Sequence, residues 1–241
     1  TDIVNGIWCI CEESTWVVPS HHHMSLKTES KLPDTTPHFI DLFAAETGNM
    51  FGWLYYLIKP RLDEVDPNLA KRILQEVETR ILRPYLEFDD FWWMAFDPNE
   101  KINNWTPWCT SNCLSAFLFL EDNQENRIAA VTKALTSLSR FIDTYGEEGG
   151  CDEGPGYWNK AGGSLFDCLE LLYLASDGKL DYFQESKIKN IAAYIYKVHV
   201  HDDYYLNFAD CPPRLNVEGD LLYRFGKRLG DTNLMGLGSS V

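Results

Sequence analysis

Residues 105–121 read WTPWCTSNCLSAFLFLE and carry a single charge, at the last position. Apolar and small residues recur at separations of three and four, so the run reads as a helix. A helix with no charged face is one that is covered all round. The next segment contrasts with it. Residues 124–145 open with Glu125-Asn-Arg-Ile and keep a charged stripe opposite an apolar one, the pattern of a helix facing solvent. This pairing of a covered helix with a solvent-facing one decides the fold class, and it extends along the chain in both directions.

Working outward, helices are expected over 2–12, 37–58, 66–86, 105–121, 124–145, 158–176, 185–199 and 216–229. Segments 37–58 and 158–176 share the uncharged character of 105–121, whereas 66–86 and 185–199 share the polar face of 124–145. Pro37 after Thr35-Thr36, Pro67 after Asp66, and Asp122 or Asn123 before Glu125 mark helix starts. Lys59-Pro60, Arg83-Pro84, Gly146 and Asp177-Gly178 mark stops. The polar helices recur about every 55 to 60 residues, the spacing of a helical hairpin repeat.

The expected fold class is therefore all-α, built of hairpins with one inner and one outer helix. Such hairpins either stack into an open solenoid or curl into an (α/α) toroid. The loops 16–37, 88–105 and 146–158 are long, rich in aromatic and polar residues, and lead into the uncharged helices. Long decorated loops at one end of a ring build a concave site, which favours an incomplete toroid. The expected organisation is one toroid domain over 1–229 and a Gly-rich tail over 230–241. The helix-like start at Thr1 suggests a fragment of a longer chain, truncated at both ends.

With 21 Lys and Arg against 36 Asp and Glu, the formal net charge is −15 at pH 7. There is no basic excess to displace counterions from phosphates, which argues against nucleic acid, and an anionic membrane surface is disfavoured for the same reason. No apolar run approaches the roughly 18 residues that would cross a bilayer. The seven cysteines include no CxxC pair. They read as small buried hydrophobes rather than metal ligands, and neither a metal nor a cofactor is expected.

Three polar stretches fall at the same end of successive inner helices. One is Glu12-Glu13-Ser14-Thr15-Trp16 with Pro19 and His21-His22-His23 after it, the second is Asn103-Asn104-Trp105-Thr106-Pro107-Trp108, and the third is Gly150–Gly163, GCDEGPGYWNKAGG. Together they resemble the heparinase II/III-type polysaccharide lyases, the group that also includes oligoalginate lyases. In that family a WxICEExxWxxPxH-like segment, an Asn-led helix start and an EGPxYW-like loop recur in this order on an incomplete (α/α) toroid. The resemblance spans most of residues 3–176. It implies a bacterial enzyme, periplasmic or secreted, acting on glycosaminoglycan or alginate. It also implies a β-sandwich domain completing the site, to which nothing in this chain corresponds.

Such lyases cleave a 4-O-linked uronate by β-elimination. A base removes the C5 proton, and an acid assists departure of the C4 oxygen. The C5–H lies beside an ionised carboxylate, so the carboxylate charge must be offset as the enolate-like transition state forms. A neutral amide does this by hydrogen bonding. A tyrosine, ordinarily titrating near about 10, is strong enough once deprotonated and can return the proton to the leaving oxygen. By resemblance, Tyr157 takes the base/acid position and Asn104 the carboxylate-binding position, with Asn103 as the alternative if the register slips by one. Trp105 stands where many members carry a histidine, which leaves it a stacking role. Glu13, Trp16, His21, Glu153 and Trp158 are the remaining candidates for contacts with sugar hydroxyls and ring faces.

Two other readings stay open. One is a toroidal glycoside hydrolase with Asp152 or Glu153 as acid and Asp202, Asp203 or Glu12 as partner. The other is a noncatalytic carbohydrate-binding helical array.

Overall fold

The computed structural model describes residues 1–22, 35, 36 and 38–241. Pro37 and His23, both given weight above, lie outside the described residues. The described chain is mostly helical, and its two short strands make a single hairpin. It divides into two compact units, one comprising residues 1–100 and 112–136, the other 101–111 and 137–241.

In the first unit, α1 (Asp2–Glu12), α2 (Leu42–Val65) and α3 (Pro67–Val77) pack through Ile7, Cys11, Phe51, Leu62, Leu69 and Ile73, all buried. Asp41 caps α2, its carboxylate accepting from the Ala44 N–H at 2.7 Å. The helix therefore starts at Leu42, five residues beyond the expected start at residue 37. It also runs through Pro60, where the proline was read as a stop. Proline removes one i→i−4 bond, and here the carbonyl left over is that of Tyr56, which is 64% exposed and can be met by water. Ion pairs Lys59–Asp63 and Arg61–Glu64 flank the site on the same helix.

Asp66 caps α3 with Pro67 at its first position, as expected. The helix then passes through a π turn, Glu78–Leu82, into α4 (Arg83–Glu87). The wider turn lets the chain carry Pro84 into the next helical segment instead of ending before it. Lys133 closes the end of α4, its ammonium donating to the carbonyls of Tyr85, Leu86 and Phe88 at 2.8, 3.2 and 2.9 Å.

The uncharged run forms α5 (Trp105–Leu120), and no residue along it is exposed. Helix α6 (Gln124–Asp143) follows, capped by the Asn123 side chain, which accepts from the N–H groups of Glu125 and Asn126.

In the second unit, α7 (Ser164–Ala175), α8 (Ser186–Lys197) and α9 (Gly219–Leu229) surround a core of Trp158, Phe166, Phe183, Ile191 and Phe225. A hairpin of β1 (His199–His201) and β2 (Tyr204–Tyr205) was not foreseen. Its turn is made by Asp202 at φ 48°, whose carbonyl meets His199 Nε2. The segment read as a Gly-rich tail also differs from expectation: Thr232–Ser240 forms a helix, α10, capped by Asp231. A β-carbon at Gly238 would lie 2.6 Å from both the Gly219 carbonyl oxygen and the Tyr223 nitrogen. Gly238 therefore serves close packing of α10 on α9.

The seven cysteines form no disulfide, and six are buried. Among the described residues, no helix is long and apolar enough to cross a membrane, and no three His, Cys, Asp or Glu side chains group as a metal site.

Candidate functional site

The second unit brings the start of α5 and the loop 146–158 together. At the helix start the two asparagines divide the work. The Asn103 side-chain oxygen accepts from the Trp105 N–H at 3.0 Å, capping the helix. The Asn104 side chain, 6% exposed, is left to reach out, and its amide donates to Glu153 Oε2 at 2.5 Å. Asn103 thus serves the backbone, while the Asn104 amide bonds the Glu153 carboxylate.

The loop that presents Glu153 is tightly built. The Gly154 N–H bonds the Cys151 carbonyl, and the Tyr157 N–H bonds the Gly154 carbonyl. A short 3₁₀ turn, Pro155–Tyr157, then leads into a π turn, Asn159–Gly163, and on into α7. Gly154 has φ 85° and ψ 174°, a conformation that side-chain-bearing residues avoid. The loop rests on the segment ending at Cys211, since a β-carbon on Gly154 would stand 2.5 Å from the Phe208 carbonyl oxygen. Beneath it, Cys151 is buried against the Tyr145 hydroxyl. Burial, and then that phenol's neighbours, hold the Tyr145 proton in place far above the usual range.

Tyr157 is 37% exposed at the end of the turn, so its phenol is open to a ligand. The Glu153 carboxyl is raised above the ordinary carboxylate range, first by burial and then by Asp152 and Asp210, with Lys101 opposing. Accepting from a neutral amide in a partly buried place, it stands where an incoming carboxylate group would also find a donor. Trp105 and Trp108 are half-buried on the first turn of α5, and Lys160 Nζ lies 4.3 Å from the centre of the Trp108 ring.

Two tryptophans offered as sugar platforms are corrected by their surroundings. Trp158 is 1% exposed, donates its indole N–H to the Ile191 carbonyl at 2.8 Å and stacks on Phe225. Trp16, in the other unit, is 6% exposed and donates to the Ile10 carbonyl, with the Arg80 guanidinium over its ring. Each has its polar handle satisfied inside the core and no ring face left for a sugar.

Glu13 and His21 also belong to the first unit. The Glu13 side chain is exposed, while its carbonyl accepts from Arg80 Nη2 at 2.7 Å. His21 Nδ1 meets Asp41 Oδ2 at 2.8 Å, and Asp41 is fully buried. Asp41 thus orients the imidazole while capping α2, a pairing the sequence reading missed although Asp41 directly precedes the helix. His38, near Arg80, is pushed below its ordinary range by burial and then by that positive charge.

No family model and no curated protein matches the chain.

Proposed function

We propose that the chain is a polysaccharide lyase domain that cleaves uronic-acid-containing glycans by β-elimination. The observation that carries the reading is the hydrogen bond from Asn104 to Glu153, which joins a carboxylate-binding amide to the loop bearing Tyr157. In this mechanism the Asn104 amide turns to the substrate carboxylate and offsets its charge as C5 becomes enolate-like. The Tyr157 phenolate takes the C5 proton. Electrons from the C5–H bond form the C4–C5 double bond as the C4–O bond breaks, and the same phenol returns the proton to the departing oxygen. Glu153 holds Asn104 in readiness and is displaced or shared when the sugar acid arrives.

The alternation of charged and uncharged helices supports the finer architecture, an incomplete (α/α) toroid. The substrate is an acidic oligo- or polysaccharide, and the proposed location is periplasmic or secreted. Formation of an unsaturated uronate, followed by ultraviolet absorbance across a panel of uronate polymers, tests the activity. Tyr157→Phe and Asn104→Ala should each lower turnover by about 10²-fold or more. Turnover unchanged by both substitutions would refute the assignment.

A second reading has one observation in its favour: Glu153 is held toward its protonated form and senses Asp210. A hydrolase would use Glu153 as the acid with a second carboxylate as base. Its products would carry no double bond.

A further inference from the structure

We propose that a cleft in the first unit is a saccharide-binding site in its own right, where Trp8 takes the ring face of an acidic sugar and Asn68, Lys71 and Gln75 take its polar groups. The inference needs no turnover, so it is tested apart from the elimination reading. The cleft lies between α1 and α3 and encloses about 580 Å³. That is within the range of about 300–1,000 Å³ common to small-ligand sites. Helical spacing builds it. Val4 and Trp8, one turn apart on α1, line one side, and Asn68, Lys71 and Gln75, which share a face of α3, line the other. Leu69, itself buried, lines it from the core.

Trp8 differs from the tryptophans of the core. Trp16, Trp93 and Trp158 each donate the indole N–H to a backbone carbonyl, and none is more than 6% exposed. Trp8 is 43% exposed, and among the described residues its N–H has no protein acceptor. The ring is held in place all the same. The Arg72 guanidinium stands 5.6 Å from its centre. Arg72 is itself fixed by Glu76 Oε1 at 2.8 Å, by the Cys11 carbonyl at 3.0 Å and by Glu12 Oε1 at 3.3 Å. A braced ring loses little conformational freedom when a ligand arrives. It offers the C–H face of a sugar an apolar surface with a polar N–H at its edge.

The opposite side decides the ligand class. Among the described residues, the Asn68 and Gln75 side-chain amides and the Lys71 ammonium have no hydrogen-bond or ion-pair partner. An amide both donates and accepts, which suits sugar hydroxyls. The acids nearby are already engaged: Asp66 accepts from the Asn68 N–H at 2.8 Å, and Glu12 and Glu76 pair with Arg72. Lys71 is thus a cation of the cleft with no acid of its own. It favours a sugar bearing a carboxylate or a sulfate over a neutral one.

The test follows the Trp8 indole N–H of the whole chain by NMR, its resonance assigned by its loss in Trp8→Phe. The probes are methyl glucuronoside, a sulfate ester of methyl glucoside, and methyl glucoside, none of which has a 4-O-linked sugar to eliminate. At least one acidic probe should shift the resonance saturably with Kd on the order of 1 mM, and the tighter of the two names the acid group. Methyl glucoside should bind about 2- to 5-fold more weakly, a gap that closes in Lys71→Gln and at high salt. Gln75→Ala should weaken all three probes about 2- to 10-fold, and equal thermal unfolding of the variants shows that the fold is kept. A Trp8 resonance unmoved by every probe at about 20 mM overturns the site. Equal binding of acidic and neutral probes overturns the role of Lys71. Saturable shifts in a protein that cleaves no uronate polymer uphold this cleft and count against the elimination reading, while cleavage with an unmoved Trp8 does the reverse.

Discussion

Replacing Gly154 with alanine tests the loop that carries Glu153 and Tyr157. Its φ of 85° and ψ of 174° fall in a region open almost only to glycine, so the backbone alone costs about 1–3 kcal/mol. The added β-carbon would stand 2.5 Å from the Phe208 carbonyl oxygen and 3.2 Å from Cys211 Cβ. The Phe208 oxygen is backbone and is fixed by the Cys211 N–H at 3.1 Å, so relief requires the whole turn to move. Overpacking of this kind adds about 1–3 kcal/mol. Roughly 2–6 kcal/mol in total should lower a urea unfolding midpoint by on the order of 1 M. Turnover of uronate should fall as well, because Tyr157 hangs from the same turn. Gly6→Ala is the control: it lies in α1 with nothing within 4 Å of the added carbon, and should gain about 0.5–1 kcal/mol. A Gly154→Ala protein that unfolds at the wild-type midpoint would refute the reasoning.

Trp158→Ala should cost about 3–5 kcal/mol in denaturant unfolding, while Trp158→Phe should leave KM for uronate unchanged, since the indole faces the core and not the ligand. Asp167→Asn should show its effect through pH. The Asp167 carboxyl is raised to about 6, first by burial, so the unfolded chain ionises before the folded one and wild-type stability is lost as pH rises between about 4 and 6. The loss is up to about 3 kcal/mol at 1.36 per unit. Stability curves of variant and wild type taken by urea unfolding should therefore diverge in the variant's favour across that window and stay parallel above it. Asp41→Ala removes the acceptor shared by Ala44 N–H, Val18 N–H and His21 Nδ1. It should cost about 2–4 kcal/mol in thermal unfolding and shift the His21 ring resonances.

What could be read in the sequence was whatever depends on local chemistry. The absence of charge along 105–120 announces a covered helix, because no polar residue is available to face water. Asp66-Pro67 and Asn123 announce helix starts, because their side chains bond the first free N–H groups. Pro60 and Pro84 misled for the opposite reason: whether a lost hydrogen bond is tolerated depends on exposure and on a π turn, and neither is local. Glycines of 230–241 look alike whether they flex or pack, and only the facing backbone of α9 decides. In the site, Asn103 and Asn104 stand adjacent in the sequence and differ only in where their amides point. Trp16 and Trp158 have the composition of sugar platforms, and it takes the Ile10 and Ile191 carbonyls to show that their N–H groups are spent inside. Lys160 lay within the quoted loop, but the ring it meets, Trp108, is 52 residues away in the chain.

The most direct measurement of the central claim is the mass of the fragments released from a uronate polymer in water enriched in oxygen-18. β-Elimination by Tyr157 and Asn104 predicts new non-reducing ends lighter by one water than hydrolysed ends, with no heavy oxygen gained from cleavage. Hydrated ends with heavy oxygen introduced at the cut would contradict it and assign the reaction to Glu153 and its acidic neighbours.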